Sequence, residues 1–212
     1  PPIRQSPIHL MNPPFSQACE NNQAPIFDVL RAALADSTQV LEIGSGTGQH
    51  SVYFAPRLPH LVWQTSDLED NHPGILAWHA LQPAPNLRAP LVMDLERSEW
   101  PAGAFDAAYS SNTAHIVSWP LVERMFALLG AHLADGGTFA LYGPFNYDGA
   151  FTSDSNRAFD TMLRHRDPAS GIRNFEDVVA LASDNGLQLA QDHAMPANNR
   201  LLVFKKSAHP TR

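Results

Sequence analysis

With 212 residues and 23.3 kDa, 44% of them hydrophobic and 17% charged, the chain has the make-up of an ordinary globular protein, which excludes wholesale disorder and leads us to expect one domain over residues 1–212. A formal charge of -7, a pI near 5.7 and no Lys/Arg cluster argue against a nucleic-acid partner, and no apolar run is long enough to suggest a membrane partner. The single cysteine, Cys19, excludes an internal disulfide and a multi-cysteine zinc site; with no secretory signal in the opening residues, a cytoplasmic location is expected.

Residues 1–24, rich in proline as far as Pro14, read as an N-terminal arm. Apolar residues Ile26, Val29, Leu30, Ala33 and Leu34 then recur at helical spacing, with Pro25 suited to a first turn, and predict a helix over 25–35. The run Val40-Leu41-Glu42-Ile43 reads as a strand, Gly44-Ser45-Gly46-Thr47-Gly48 as a tight loop, and the residues up to Pro56 as a helix. Further on, 61–65 reads as a strand closed by Ser66-Asp67, 72–81 as a helix, 91–93 as a strand before Asp94, and 104–109 as a strand before Ser110-Ser111-Asn112. A helix over 119–133, a strand over 138–142, a polar stretch over 143–170, a helix over 174–185 and two last strands over 187–193 and 200–205 complete the reading. Repeated strand and helix imply an α/β fold, a mostly parallel sheet with helices on both faces. The short link between the last two strands implies that they are antiparallel to each other, so that one opposes the rest.

The glycine loop carries the strongest chemical signal. Glycines at alternate positions after a strand allow a sharp turn and close backbone approach to a ligand. Its spacing, Gly44-x-Gly46-x-Gly48, differs from the Gly-x-Gly-x-x-Gly of dinucleotide sites, whose helix N-terminus holds a pyrophosphate. S-adenosylmethionine (SAM) has no pyrophosphate and carries a sulfonium and an ammonium, which a carboxylate such as Glu42 complements. Asp67, ending the second strand, suits the two ribose hydroxyls, and Asp94, ending the third, suits the adenine amino group, with Leu68 and Leu95 as apolar neighbours of the ring. The competing reading of each aspartate is a helix cap or loop turn.

The segment Val40 to Gly48 resembles motif I of class I SAM methyltransferases, and Asp67, Asp94 and Ser110-Ser111-Asn112 fall where that superfamily places its later cofactor loops. The chain also resembles, nearly end to end, the methyltransferase-like family known as domain of unknown function 938, to which methyltransferase-like protein 26 belongs. The matching segments are Ala18-Cys19-Glu20-Asn21-Asn22, the glycine loop through His50, Gly143-Pro144-Phe145-Asn146-Tyr147, Gly171-Ile172-Arg173 and Met195-Pro196-Ala197-Asn198-Asn199. The resemblance implies a Rossmann-like, seven-stranded SAM-binding fold with an antiparallel C-terminal strand and S-adenosylhomocysteine as product. Expected cofactor contacts are Glu42, Gly44, Ser45, Gly46, Gly48, Asp67, Leu68, Asp94, Leu95 and Asn112.

Ligands of open α/β sheets bind beyond the carboxyl ends of the strands, which places Asn112 to His115 and Tyr142 to Tyr147 beside the transferable methyl group. His115 is the candidate base and Tyr142 a candidate catalytic group, while Glu20, Asn21, Asn22, Tyr147, Asn198 and Asn199 are candidate acceptor contacts. The stretch 151–171 reads as an exposed helix and loop, with a lid that uses Arg157, Arg164, Arg166 and Arg173 against an anion as the alternative. No metal site is expected, since His72 and His79 lack the i, i+4 spacing of two ligands on one helical face. The expected activity is methyl transfer to oxygen, nitrogen or sulfur of a small molecule by a monomer or homodimer; the alternative is a non-catalytic module that binds SAM or S-adenosylhomocysteine.

Overall fold

The computed structural model describes residues 12–208, so the opening arm as far as residue 11 lies outside the described residues. Helix α1 (Gln17–Ala33) precedes strand β1 (Gln39–Ile43), α2 (Gln49–Phe54), β2 (Val62–Asp67), α3 (His72–Leu81), β3 (Leu87–Val92) and β4 (Ala107–Ser111). Then come α4 (Trp119–His132), β5 (Thr138–Gly143), a two-residue β6 (Phe145–Asn146), α5 (Asp154–Arg166), β7 (Arg173–Asn174), α6 (Phe175–Asp184), β8 (Leu187–Met195) and β9 (Asn199–Lys206).

Seven strands form the main sheet in the order β3-β2-β1-β4-β5-β9-β8, while β6 and β7 pair separately. Neighbours from β3 through β5 are parallel, and β9 is antiparallel to both β5 and β8. Only the residues 196–198 separate β8 from β9, too few for a parallel crossover, so the last strand must turn back. Alternating side chains divide the core between two faces. Leu41, Ile43, Phe139, Leu141 and Phe204 pack with Val122, Phe126 and Leu129 of α4 and Val178 of α6. On the other face Val40, Trp63, Tyr109 and Ala140 pack with Ile26 and Leu30 of α1 and Phe54 of α2.

Three expectations need correction. Helix α1 starts at Gln17, not at Pro25: the Ser16 side chain caps it by accepting from Cys19 N, and Pro25 lies inside the helix. The proline withholds only the bond to the carbonyl of residue 21, on the exposed side. Strand β4 starts at Ala107, because Asp106 is used otherwise, accepting from Thr38 N and Gln39 N at 2.9 Å. Strand β3 begins four residues early and is only half-covered, as suits an edge. The polar stretch holds α5, the exposed helix expected within 151–171, and its inward residues Asn156, Asp160 and Leu163 are mostly polar.

Candidate active site

The strand order reverses at β1, whose neighbours are β2 and β4, and this opens a crevice above the carboxyl ends of those strands. The glycine loop sits at that point. Gly44 N and Ser45 N both donate to Ser66 O, at 3.1 and 3.0 Å. Ser45 Oγ donates to Glu42 Oε2 at 3.0 Å and accepts from Ser66 N at 3.1 Å, so the ends of β1 and β2 are joined through one hydroxyl. Gly46 has a φ of 57° and faces open space, whereas Gly48, at 91°, places α2 so close to α3 that an added Cβ would lie 2.9 Å from Ile75 Cα.

Glu42 lies beneath this loop, 2% exposed, and its Oε2 also accepts from Trp63 Nε1 at 3.0 Å. Burial pushes its pKa up to about 7, against the two hydrogen bonds that lower it. Asp67 faces the loop. Its Oδ2 accepts from Gly46 N at 2.6 Å, and its Oδ1 accepts from Leu68 N at 2.7 Å and from Asn71 Nδ2 at 2.8 Å. Leu68 and Val92, the residue paired with Asp67 across β2 and β3, are 48% and 56% exposed and flank the carboxylate with apolar surface. Val92 went unnoticed as a site residue because adjacency across strands is invisible in a single sequence.

The other aspartate is occupied in a turn. Asp94 Oδ1 accepts from Glu96 N, its backbone N donates to Ser98 Oγ, and Arg97 lies 3.9 Å away, which favours the loop-turn reading at this position. Leu95 is nearly buried. Asn112 takes a left-handed φ of 56°, which asparagine tolerates, and donates from its backbone N to Tyr142 O at 2.9 Å.

His115 lies in the loop after β4, 4% exposed, its ring edge-on to Phe159 with centroids 5.4 Å apart. It abuts Gly143, the last residue of β5: a Cβ there would be 3.4 Å from His115 Nδ1. Burial, helped by Arg173, pulls its pKa down to about 4, so the imidazole is neutral at working pH and only a weak base. Arg173 itself donates to the carbonyls of Ala114, Val117 and Ala169, and Arg164 pairs with Asp160 at 2.8 Å. Those two arginines are therefore engaged within the fold, and the anion lid loses its most inward cations.

Tyr147, Asn198 and Asn199 do come together. With Thr152, Ala194, Met195 and Arg200 they line a cavity of about 420 Å³ at the start of β9, beside the carboxyl end of β5. The Tyr147 hydroxyl donates to Asp192 Oδ2 at 2.9 Å, its ring stacks on Phe175 at 4.6 Å, and Arg200 Nε donates to Asp192 Oδ1 at 2.7 Å. The Asn199 side chain folds back on its own turn, donating to Pro196 O and Ala197 O. Glu20, Asn21 and Asn22 do not act as a cluster: successive helical residues point about 100° apart. Glu20 and Asn21 are exposed, Asn21 accepting from Gln17, and only Asn22 turns inward, to His50. The partners that hold Asn22, Glu42 and Tyr147, namely His50, Trp63 and Asp192, were missed because each is remote in sequence from the residue it fixes.

This sheet order, with one reversed strand beside β5 and a glycine loop at the reversal, defines the class I methyltransferase fold. Residues 13–206 match the family model described as Protein of unknown function (DUF938), and the chain belongs to that family. Over 157 residues, 70% of this chain and 56% of the relative, it is 37% identical to a trans-aconitate 2-methyltransferase of Deinococcus radiodurans. An O-methyltransferase family 2 protein of Planctomyces limnophilus, solved in complex with apigenin, superposes with a TM-score of 0.78 at 15% identity, covering 89% of this chain and 58% of that one. Human N-acetylserotonin methyltransferase, solved with SAM, gives 0.71 at 12% identity, covering 88% of this chain and 55% of that one. The chain thus spans little more than half the length of these relatives. Among the described residues no helix is long and apolar enough to cross a membrane.

Proposed function

We propose that the protein binds SAM and transfers its methyl group to oxygen, nitrogen or sulfur of a small molecule. The observation that carries this reading is the exposed, left-handed Gly46 hydrogen-bonded to Asp67 at the reversal of strand order. There Asp67 has the carboxylate that a ribose diol calls for, and Leu68 and Val92 offer apolar surface to the adenine. Glu42, buried with a pKa near 7, suits a cationic ligand: a sulfonium or ammonium above the loop favours its ionised form. The bound cofactor supplies an electrophilic methyl group, and the chain's own part is to align an acceptor with it and exclude water. His115, neutral and beside the end of β5, is the group that takes up the acceptor's proton.

The cavity of about 420 Å³ favours catalysis over a purely regulatory module, since it leaves room for a second molecule beside the same edge of the sheet. The name of the Deinococcus relative supports a small-molecule acceptor. Methyl-labelled SAM incubated with the protein and a fractionated small-molecule extract tests the reading. Label should enter a small molecule and fall about 10²-fold or more with His115→Gln; binding of SAM without transfer to any fraction favours the regulatory module.

A further inference from the structure

The turn between β8 and β9 holds its backbone against preference. Ala197 and Asn198 both take a left-handed φ of 57°, at a cost of about 1 kcal/mol or more for the alanine, which has no polar side chain to bond locally. Asn156 Nδ2 of α5 fixes the turn by donating to Asn198 O at 3.2 Å, and the Asn199 side chain closes it from within by donating to Pro196 O. The bend sets Asn198 and Arg200 on the wall of the cavity of about 420 Å³, together with Tyr147 and Thr152.

Among the described residues that line this cavity, Arg200 carries the only charge. Its side chain is held in place without being fully engaged. Arg200 Nε donates to Asp192 Oδ1 at 2.7 Å and Nη2 to Asp192 O at 3.4 Å. The guanidinium lies 5.5 Å from the Tyr147 ring, whose hydroxyl occupies Asp192 Oδ2. The N–H groups of Arg200 Nη1 have no partner among the described residues. The Asn198 side-chain amide is likewise unbonded there, and the Thr152 hydroxyl, which accepts from Asn156, has its proton left to donate. The lining thus offers several free donors and no carboxylate.

Strand register sets this guanidinium beside the proposed base. Arg200 is paired with Gly143 across β9 and β5, and residues directly opposite in antiparallel strands direct their side chains to the same face. A Cβ at Gly143 would lie 3.4 Å from His115 Nδ1, so Arg200 and His115 share one face, with Gly143 between them. Tyr142, one residue earlier, turns to the other face and is 2% exposed in the core beside α1. We infer that Arg200 and Asn198 anchor a carboxylate of the methyl acceptor, so that the substrate is a small organic anion whose reacting group lies over Gly143, toward His115. This deepens the proposed methyl transfer and rests on it. A guanidinium matches a carboxylate in both charge and geometry, and a second donor on a held turn adds direction. Adjacent strands are about 4.8 Å apart, a span that a few bonded atoms of a small molecule cover.

The test divides a small-molecule extract by ion exchange into anionic, neutral and cationic fractions before each is incubated with the protein and methyl-labelled SAM. Label should enter the anionic fraction. Arg200→Gln should raise the amount of that fraction needed for half-maximal transfer about tenfold or more, and Asn198→Gly, which keeps the left-handed turn and drops the amide, about threefold. Both variants should bind S-adenosylhomocysteine within about twofold of the unsubstituted protein, since neither residue touches the glycine loop. Asn198→Gly leaves the Arg200 pair with Asp192 intact, so its loss is not one of folding. Label in the neutral or cationic fraction alone, unchanged transfer by either variant, or an equal loss of S-adenosylhomocysteine binding would overturn the anchor and leave the methyl-transfer reading standing. Label in no fraction, with S-adenosylhomocysteine bound, removes the transfer reading and the anchor with it.

Discussion

Gly46 and Gly48 stand two residues apart in one loop and serve opposite ends. Gly48 serves the fold: a Cβ there would strain a φ of 91° and press on Ile75 Cα at 2.9 Å. Gly48→Ala should therefore cost about 2–4 kcal/mol in urea unfolding, combining backbone strain with a contact that only backbone movement relieves. Gly46→Ala should cost about 1 kcal/mol, since its Cβ would meet nothing within 4 Å, yet should weaken S-adenosylhomocysteine about tenfold by filling the space the ligand approaches through. Equal effects of both substitutions on stability and affinity would contradict this division. The glycine loop and Asp67 were legible because their chemistry is contiguous or ends a strand. The burial of Glu42 was not, because its cover comes from Trp63 of the neighbouring strand.

Between elements, the ties around the acceptor side are polar and long in sequence. Arg173 joins the start of α6 to the loop after β4 through Ala114 O and Val117 O, and that loop carries His115. Arg173→Met should cost about 2–3 kcal/mol and raise hydrogen exchange across residues 112–118 while leaving the glycine loop protected. Uniform loosening of both loops would show that the tie is not local. The same character separates the helices by how they are held. Helices α3 and α4, expected over 72–81 and 119–133, lie within a residue of those bounds, each with a proline in its first turn. Helix α5 is held by Asp160, which accepts from Ile172 N at 2.8 Å, and by Asn156 donating to Asn198 O, contacts that no periodicity of apolar residues reports.

Across the whole molecule, the α/β class and the reversed last strand followed from alternation and one short link, whereas the placement of β9 between β5 and β8 needed coordinates. The buried charges also give the molecule a pH response. His50, His79 and His115 have pKa values lowered from 6.5 to about 4, so the unfolded chain binds protons that the folded chain refuses between those limits. Their contribution to stability is complete above pH 6.5 and is lost as the pH falls toward 4. Glu42 acts with the opposite sign, its pKa raised from 4.5 to about 7, so its contribution is complete below 4.5 and fades as the pH rises through 7. Near pH 5.5 the uptakes by His50 and His115, with a smaller one by the partly exposed His79, outweigh the one release, and stability should rise with pH by about 1–2 kcal/mol per unit, read from urea midpoints at pH 5 and 6. A flat or falling profile would mean that these groups are not buried as described.

The central claim is an adenosyl site at the reversal of the strand order, and calorimetric titration with SAM, S-adenosylhomocysteine and NAD, on the protein and on Asp67→Ala, tests it most directly. We expect both adenosyl-amino-acid ligands to bind, NAD to bind far more weakly, and Asp67→Ala to lose about 1.5–3 kcal/mol of affinity as a carboxylate hydrogen bond is removed. Preference for NAD, or binding that Asp67→Ala leaves untouched, would contradict the account.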